Sequence, residues 1–439
     1  MTTAPENTPT CPIDHTTLEG DYARDYFTDP YFTDNPHPFY DHLRSRSPVH
    51  PITHGVLAVT GYDEALEVLR NTTVYSNITA PIGPFPPLPF TPDGDDINHQ
   101  IDEHRHQFPL NEHLVTMDPP RHTKIRRLLG GLFTPRRMEE SEDFLWRLAD
   151  RQIDEFLTTG TVEVLHGFAQ PFALLTIADL LGVPETDHDD FRRHLLAQQV
   201  GALSEGEALA TNPLDYLDTK FTAYLTDRRT HPQDDVLGAL AAATYPDGQL
   251  PEVVELVRLA TFLFGAGQDT TARLITAGIR HLAETPDLQA ALRADHTLIG
   301  DFVEELLRMD GPVKGDFRLT RKTTELAGRT VPAGTVVMVL PGAANRDPAR
   351  FEDPHTFDLG RVNAREHVAF GRGVHTCPGG PLARIEGRIA IERFLDRTTT
   401  LTINADRHGP VGQRSYRYEP TYILRGLAEL HVDFTPTDR

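Results

Sequence analysis

From residue 121 onward, apolar residues recur every three or four positions, the spacing of helices that bury one face. The clearest run is 138–158, where Phe144, Leu145, Leu148, Ile153, Phe156 and Leu157 share a side. The same spacing predicts helices over 165–181, 186–199, 214–230, 235–244, 251–284 and 298–309. Nearer the start, 35–46 reads as a helix opened by Asn35 and Pro36, and 56–60 as a strand before a helix at 62–70. Short runs bounded by turn residues predict strands near 324–326, 336–340, 401–403 and 430–434. The pattern gives a mainly α fold with small β-sheets (α+β), most of the strands lying toward the C-terminus.

Two segments depart from it. Residues 79–92 are apolar but rich in proline, which forbids helix and favours extended loop. A stretch of acids and histidines, 93–106, follows. The whole reads either as a disordered insertion or as a folded lid over a pocket; Phe85, Leu88 and Phe90 need burial and argue for the lid. The segment 251–284 is the longest predicted helix, and its middle, Leu259 to Gly267, is apolar nearly all round. That marks a central buried helix, and its polar residues exclude a membrane span. Gly265, Gly267, Gln268, Asp269, Thr270 and Thr271 interrupt the apolar run. Mid-helix glycines cost about 1 kcal/mol each, and a buried carboxylate costs more unless partnered. The segment is either a kinked helix with a satisfied core Asp269 or a helix opened locally for a function.

Composition narrows the class. With 439 residues, 39% of them hydrophobic, the chain can bury a large core. A net charge of −22 makes nucleic acid an unfavourable partner. Two cysteines exclude a disulfide scaffold and suit a reducing cytoplasm. Residues 1–22 are polar, without the apolar core of a signal peptide or membrane anchor, and read as a flexible tail ahead of a single domain, 23–439. Cys11 lies in that tail.

Cys377 sits between Gly373 and Gly379, two residues after His375 and just before a helical run at 381–395. A thiolate at a helix start gains from the free N–H groups there. The glycines of the loop allow tight turns and close backbone approach. One cysteine in such a loop suits a single sulfur ligand to a large flat cofactor, and not a zinc site.

Phe370-Gly-x-Gly-x-His375-x-Cys377-x-Gly379 resembles the haem-binding signature of the cytochrome P450 family. The resemblance runs from about residue 31 to 434 and includes three further motifs in order. It implies the triangular P450 fold, with haem b (heme b, iron protoporphyrin IX) between the long central helix and the cysteine loop, and Cys377 as the iron ligand. Asp269 and Thr270 resemble the family's acid–alcohol pair, which delivers protons during dioxygen activation; Ala266 lies one turn before them, at the haem face. Glu305 and Arg308, with Arg361, resemble the structural charge network that fixes the cysteine loop. His122, Arg126, Arg318 (placed before a strand) and His375 match the family's propionate contacts.

Pro378 departs from the pattern, where an aliphatic residue is common. Proline lacks an N–H, so either the thiolate is a stronger donor than usual or the residue simply starts the helix. The chain has no recognisable flavin or iron–sulfur module, so the resemblance implies ferredoxin and ferredoxin reductase as electron donors. Lys124, Arg127, Arg136, Arg137 and Arg372 are the candidate docking cations. The function expected is a cytoplasmic monooxygenase that hydroxylates a hydrophobic small molecule with dioxygen. A peroxide-driven haem-thiolate oxidase would more readily lack the Asp–Thr pair, and a non-catalytic haem protein would not need it. The pocket is expected to use Phe85, Leu88, Phe262, Leu263, Ala266, Val313, Tyr422 and Ile423. These suit a terpenoid, steroid, fatty acid or aromatic, unless Arg105 or Lys314 anchors a carboxylate.

Overall fold

The computed structural model describes residues 20–196 and 214–437. Residues 1–19, with Cys11 and most of the predicted tail, and 197–199 of the predicted helix 186–199 lie outside them. Within the described residues, Tyr22 already packs on Phe39 and His42.

The centre of the molecule is the helix Val253–Glu284. It starts at a capping box in which Glu252 and Glu255 each bind the other's backbone N–H, and it stops at Thr285, the residue before Pro286. Helices Gln170–Leu180, Asp215–Thr230 and Gly380–Arg397 pack around it. Its buried residues, among them Leu256, Leu259, Ala260, Phe264, Leu274 and Ile279, join the largest core cluster. Of the two alternatives at Gly265 and Gly267, local opening is not seen: the α-helix runs unbroken through both, with Leu214 and Ile177 packed beside them.

Among the described residues the strands are β1 Val49–Pro51, β2 Leu57–Val59, β3 Tyr75–Ser76, β4 Thr161–Glu163, β5 Asp316–Thr320, β6 Thr324–Leu326, β7 Arg329–Val331, β8 Val336–Val339, β9 Thr398–Ile403 and β10 His431–Pro436. The main sheet has the order β1-β2-β8-β5-β3, with β2 parallel to β8 and the other pairs antiparallel. Three of its five strands come from the first 76 residues, so the sheets are less C-terminal than the hydropathy pattern suggests. Of these three, β2 was read as the strand 56–60; β1 and β3 carry too few alternating positions to register as a pattern. Arg318 lies inside β5, not before a strand.

The proline-rich segment is folded. Phe85 packs edge-on against Phe27, His54 and Tyr422, and Phe90 packs on Phe108. The polar stretch after it holds an unpredicted helix, Asn98–His104, which buries Ile101. A second unpredicted helix, Pro286–Ala294, lies between the predicted helices 251–284 and 298–309. No helix among the described residues is long and apolar enough to cross a membrane.

Candidate active site

The cysteine loop is shaped by two left-handed glycines, Gly371 at φ 64° and Gly373 at φ 78°. A Cβ on Gly373 would stand 2.9 Å from the carbonyl oxygen of Leu69. The Cys377 N–H donates to the Phe370 carbonyl at 2.9 Å and closes the loop. The helix Gly380–Arg397 starts immediately beyond, with the Gly380 N–H donating to the Cys377 carbonyl at 3.5 Å. Burial pushes the thiol up, while the nearby N–H groups of Gly379 and Gly380 and the charges of Arg126 and Arg384 pull it down. Cys377 is nonetheless exposed. Ala266, at the middle of the central helix, is likewise exposed.

Four basic residues gather near this loop. The rings of His122 and His375 lie 3.9 Å apart. His122 is buried and neither of its ring nitrogens has a partner; Nε2 of His375 is equally bare. Burial, helped by the Arg126 charge, lowers His122 to about 4. Burial, then His122, Arg318 and Arg126, lowers His375 to about 2. Arg126 donates to the Thr376 carbonyl, and Arg318 pairs with Asp316. Buried imidazole nitrogens without partners, set beside two guanidiniums, suit a ligand that carries anionic acceptors. With a bare thiol and an exposed mid-helix alanine, they fit a haem whose propionates meet the basic group.

Thr270 donates its hydroxyl to the Ala266 carbonyl at 2.9 Å, one turn back along the helix. Asp269 Oδ2 accepts from Arg273 Nε at 3.0 Å and Nη2 at 2.9 Å. Burial raises Asp269 even so, outweighing the Arg273 charge. Glu305, Arg308 and Arg361 meet in one buried cluster, Glu305 Oε1 accepting at 2.7 Å from Arg308 and 3.0 Å from Arg361.

The predicted pocket residues fall into separate groups. Phe85, Tyr422 and Ile423 share one aromatic cluster. Leu88 packs with Ile82, Ile97 and Phe108. Leu263 belongs to the central core, Phe262 lies 6.0 Å from the His113 ring, and Val313 bridges to Leu424. Arg105 is committed to the carbonyls of Asn111 and Thr116. Lys314 is 5% exposed, lies over the Tyr26 ring and reaches only the Thr421 carbonyl, at 3.5 Å. Of the docking cations, Lys124 and Arg127 are exposed, Arg136 and Arg137 pair with Glu140, and Arg372 binds the carbonyls of Arg365 and Glu366.

Sequence reasoning missed several charged residues here. Arg273 and Glu419 complete an ion triad with Asp269. Glu304, next to Glu305, binds His367 and Arg384, and Arg384 lies 4.6 Å over the Phe370 ring. The i,i+4 spacing of Asp269 and Arg273 was a visible signal; Glu419, 146 residues away, gave none.

Residues 211–410 match the family model described as Cytochrome P450. The chain is 33% identical to the vitamin D(3) 25-hydroxylase of Pseudonocardia autotrophica over 432 residues, covering 96% of this chain and 98% of that protein. The chain belongs to the cytochrome P450 family. The substrate-free structure of Mycobacterium marinum CYP150A6 superposes with a TM-score of 0.90 at 59% identity, over 95% of this chain and 100% of that one. The structure of Bacillus megaterium CYP109E1 in complex with testosterone gives a TM-score of 0.74 at 28% identity, over 91% and 99%. This P450 is therefore a monooxygenase of the bacterial type, with the P450 α+β fold and the family's haem-thiolate cofactor. Such enzymes use dioxygen and external redox partners.

Proposed function

We propose that this P450 hydroxylates a hydrophobic small molecule in the cytoplasm, holding heme b in a single catalytic domain, 23–439, behind a short N-terminal tail, and drawing electrons from a ferredoxin and its reductase. The observation that carries this reading is the exposed Cys377 beside two histidines whose buried ring nitrogens lack partners. When bound, the haem supplies the iron at which dioxygen is reduced and one oxygen atom transferred.

The chain's residues divide the remaining work. Cys377 holds the iron, and His122, Arg126, Arg318 and His375 hold the propionates. Phe370 and Gly379 shape the ligand loop, and Ala266 leaves room at the haem face. Thr270 holds a water in place by its hydroxyl, and Asp269 moves protons inward from solvent. Glu305, Arg308 and Arg361 keep the loop rigid. Phe85, Leu88, Phe262, Leu263, Val313, Tyr422 and Ile423 give the substrate an apolar wall. The name of one relative, a vitamin D(3) hydroxylase, and the testosterone bound to another support a steroid-like substrate over a small acid.

The test is the spectrum of the reduced protein under carbon monoxide, followed by titration with testosterone and other apolar compounds. A strongly red-shifted carbonyl Soret band, lost in Cys377→His, is expected. A histidine-type band in the unsubstituted protein would overturn the assignment. A compound that shifts the Soret band on titration names the substrate class.

A further inference from the structure

We infer that the C-terminal hairpin 417–428 controls the proton-relay carboxylate Asp269 by sharing Arg273 between Asp269 and Glu419. This deepens the reading above and rests on Asp269 acting as the relay.

Arg273 is 3% exposed and lies one turn beyond Asp269 on the central helix. Its Nη2 donates both to Asp269 Oδ2, at 2.9 Å, and to Glu419 Oε2. Its Nη1 is buried without a partner. One buried cation thus serves two acids from different parts of the chain, with a donor in reserve. Among the described residues, Arg273 and Glu419 are the charged groups whose fields act on Asp269.

Glu419 belongs to a hairpin. Its N–H donates to Gly426, Ala428 donates to Arg417, and Tyr418 bridges Leu427. Arg273 lies directly across Gly426, where an added Cβ would stand 2.5 Å from Nη1. The hairpin tip is fastened to two other predicted pocket walls. The Ile423 carbonyl accepts from Lys314 N–H at 2.8 Å, and Tyr422 donates its hydroxyl to the Ile82 carbonyl at 2.9 Å. A substrate that shifts the tip therefore moves Glu419, and Glu419 sets how firmly Arg273 grips Asp269. When Glu419 draws Arg273, Asp269 is freer to take up a proton; when Glu419 withdraws, Asp269 is locked as its anion. Glu419 is a positioning residue.

Two measurements on the haem-loaded protein test this. The first is a thermal-unfolding cycle with Asp269→Asn, Glu419→Gln and the double variant. One carboxylate suffices for a buried guanidinium, but losing both leaves it uncompensated. The double variant should lose several degrees of Tm beyond the sum of the single losses, and additive losses would overturn the sharing. The second is an infrared titration of the Asp269 carboxyl, assigned by its disappearance in Asp269→Asn. In Glu419→Gln the midpoint should fall by about one unit, a tenfold change in proton affinity, and an unmoved midpoint would overturn control by Glu419. The relay itself is tested apart: Asp269→Asn with unaltered yield of oxidised testosterone, or of whichever apolar compound the titration selects, per electron refutes the relay and leaves the sharing intact.

Discussion

Arg308 holds Glu305 through two hydrogen bonds, 2.8 and 2.7 Å long, where neither side chain meets solvent. The remaining Arg308 donors reach the carbonyls of Asn345, Pro354 and Thr356. The Asn345 side chain in turn accepts from Val368 N–H, two residues before Phe370. The pair is thus wired to the start of the cysteine loop.

Removing one partner of such a pair strands a buried charge. Arg308→Ala should cost about 3–5 kcal/mol, read as a lower Tm and faster haem loss. A variant that keeps its haem and loses less than about 1 kcal/mol would show the network to be dispensable.

The backbone N–H groups of Gly379 and Gly380 lie near enough to Cys377 to favour its thiolate, although Pro378 offers none. Pro378→Leu would supply one more backbone donor to the ligand loop and drain charge from the thiolate. The haem reduction potential should rise. An unchanged potential would mean that Pro378 serves only the helix start.

Thr270→Ala removes a hydroxyl anchored at 2.9 Å to Ala266. If Thr270 positions the water for proton transfer, product per electron should fall roughly 100-fold, while dioxygen continues to be consumed and peroxide is released. Tight coupling in the variant would move the role elsewhere.

Lys314 is held down to about 7 by burial, with the Arg425 charge adding to the effect. Its unfolded counterpart stays protonated up to about 10.4. As pH falls from about 10 to 7, the unfolded chain therefore binds the proton first and the fold loses stability. Lys314→Met should be more stable than the parent at pH 7 by on the order of a few kcal/mol, and the gain should vanish near pH 10. Denaturant unfolding at both pH values measures this, and a gain that does not depend on pH would show that the ammonium is already compensated.

The helices were legible because a buried face repeats every three to four residues, and the cysteine loop because its glycines and ligand are contiguous. Residues 62–70 and 324–326 appear with the bounds the pattern gave them. The Asn98–His104 helix escaped because a single buried residue, Ile101, anchors it within a polar stretch. The strands β1, β3 and β4, two or three residues long, escaped, whereas β6, equally short, was read from the turn residues that bound it.

The sequence by itself determined the family, the central helix and the order of the acid–alcohol and Glu–Arg motifs, and it singled out Cys377, all of them local in the chain. The tertiary structure decided which charges meet. Only the folded chain brings His122 against His375, Arg361 onto Glu305, and Glu419 to the Arg273 that grips Asp269. Those pairings depend on long-range packing and burial, which fix both distance and local polarity, and neither quantity is carried by spacing along the chain.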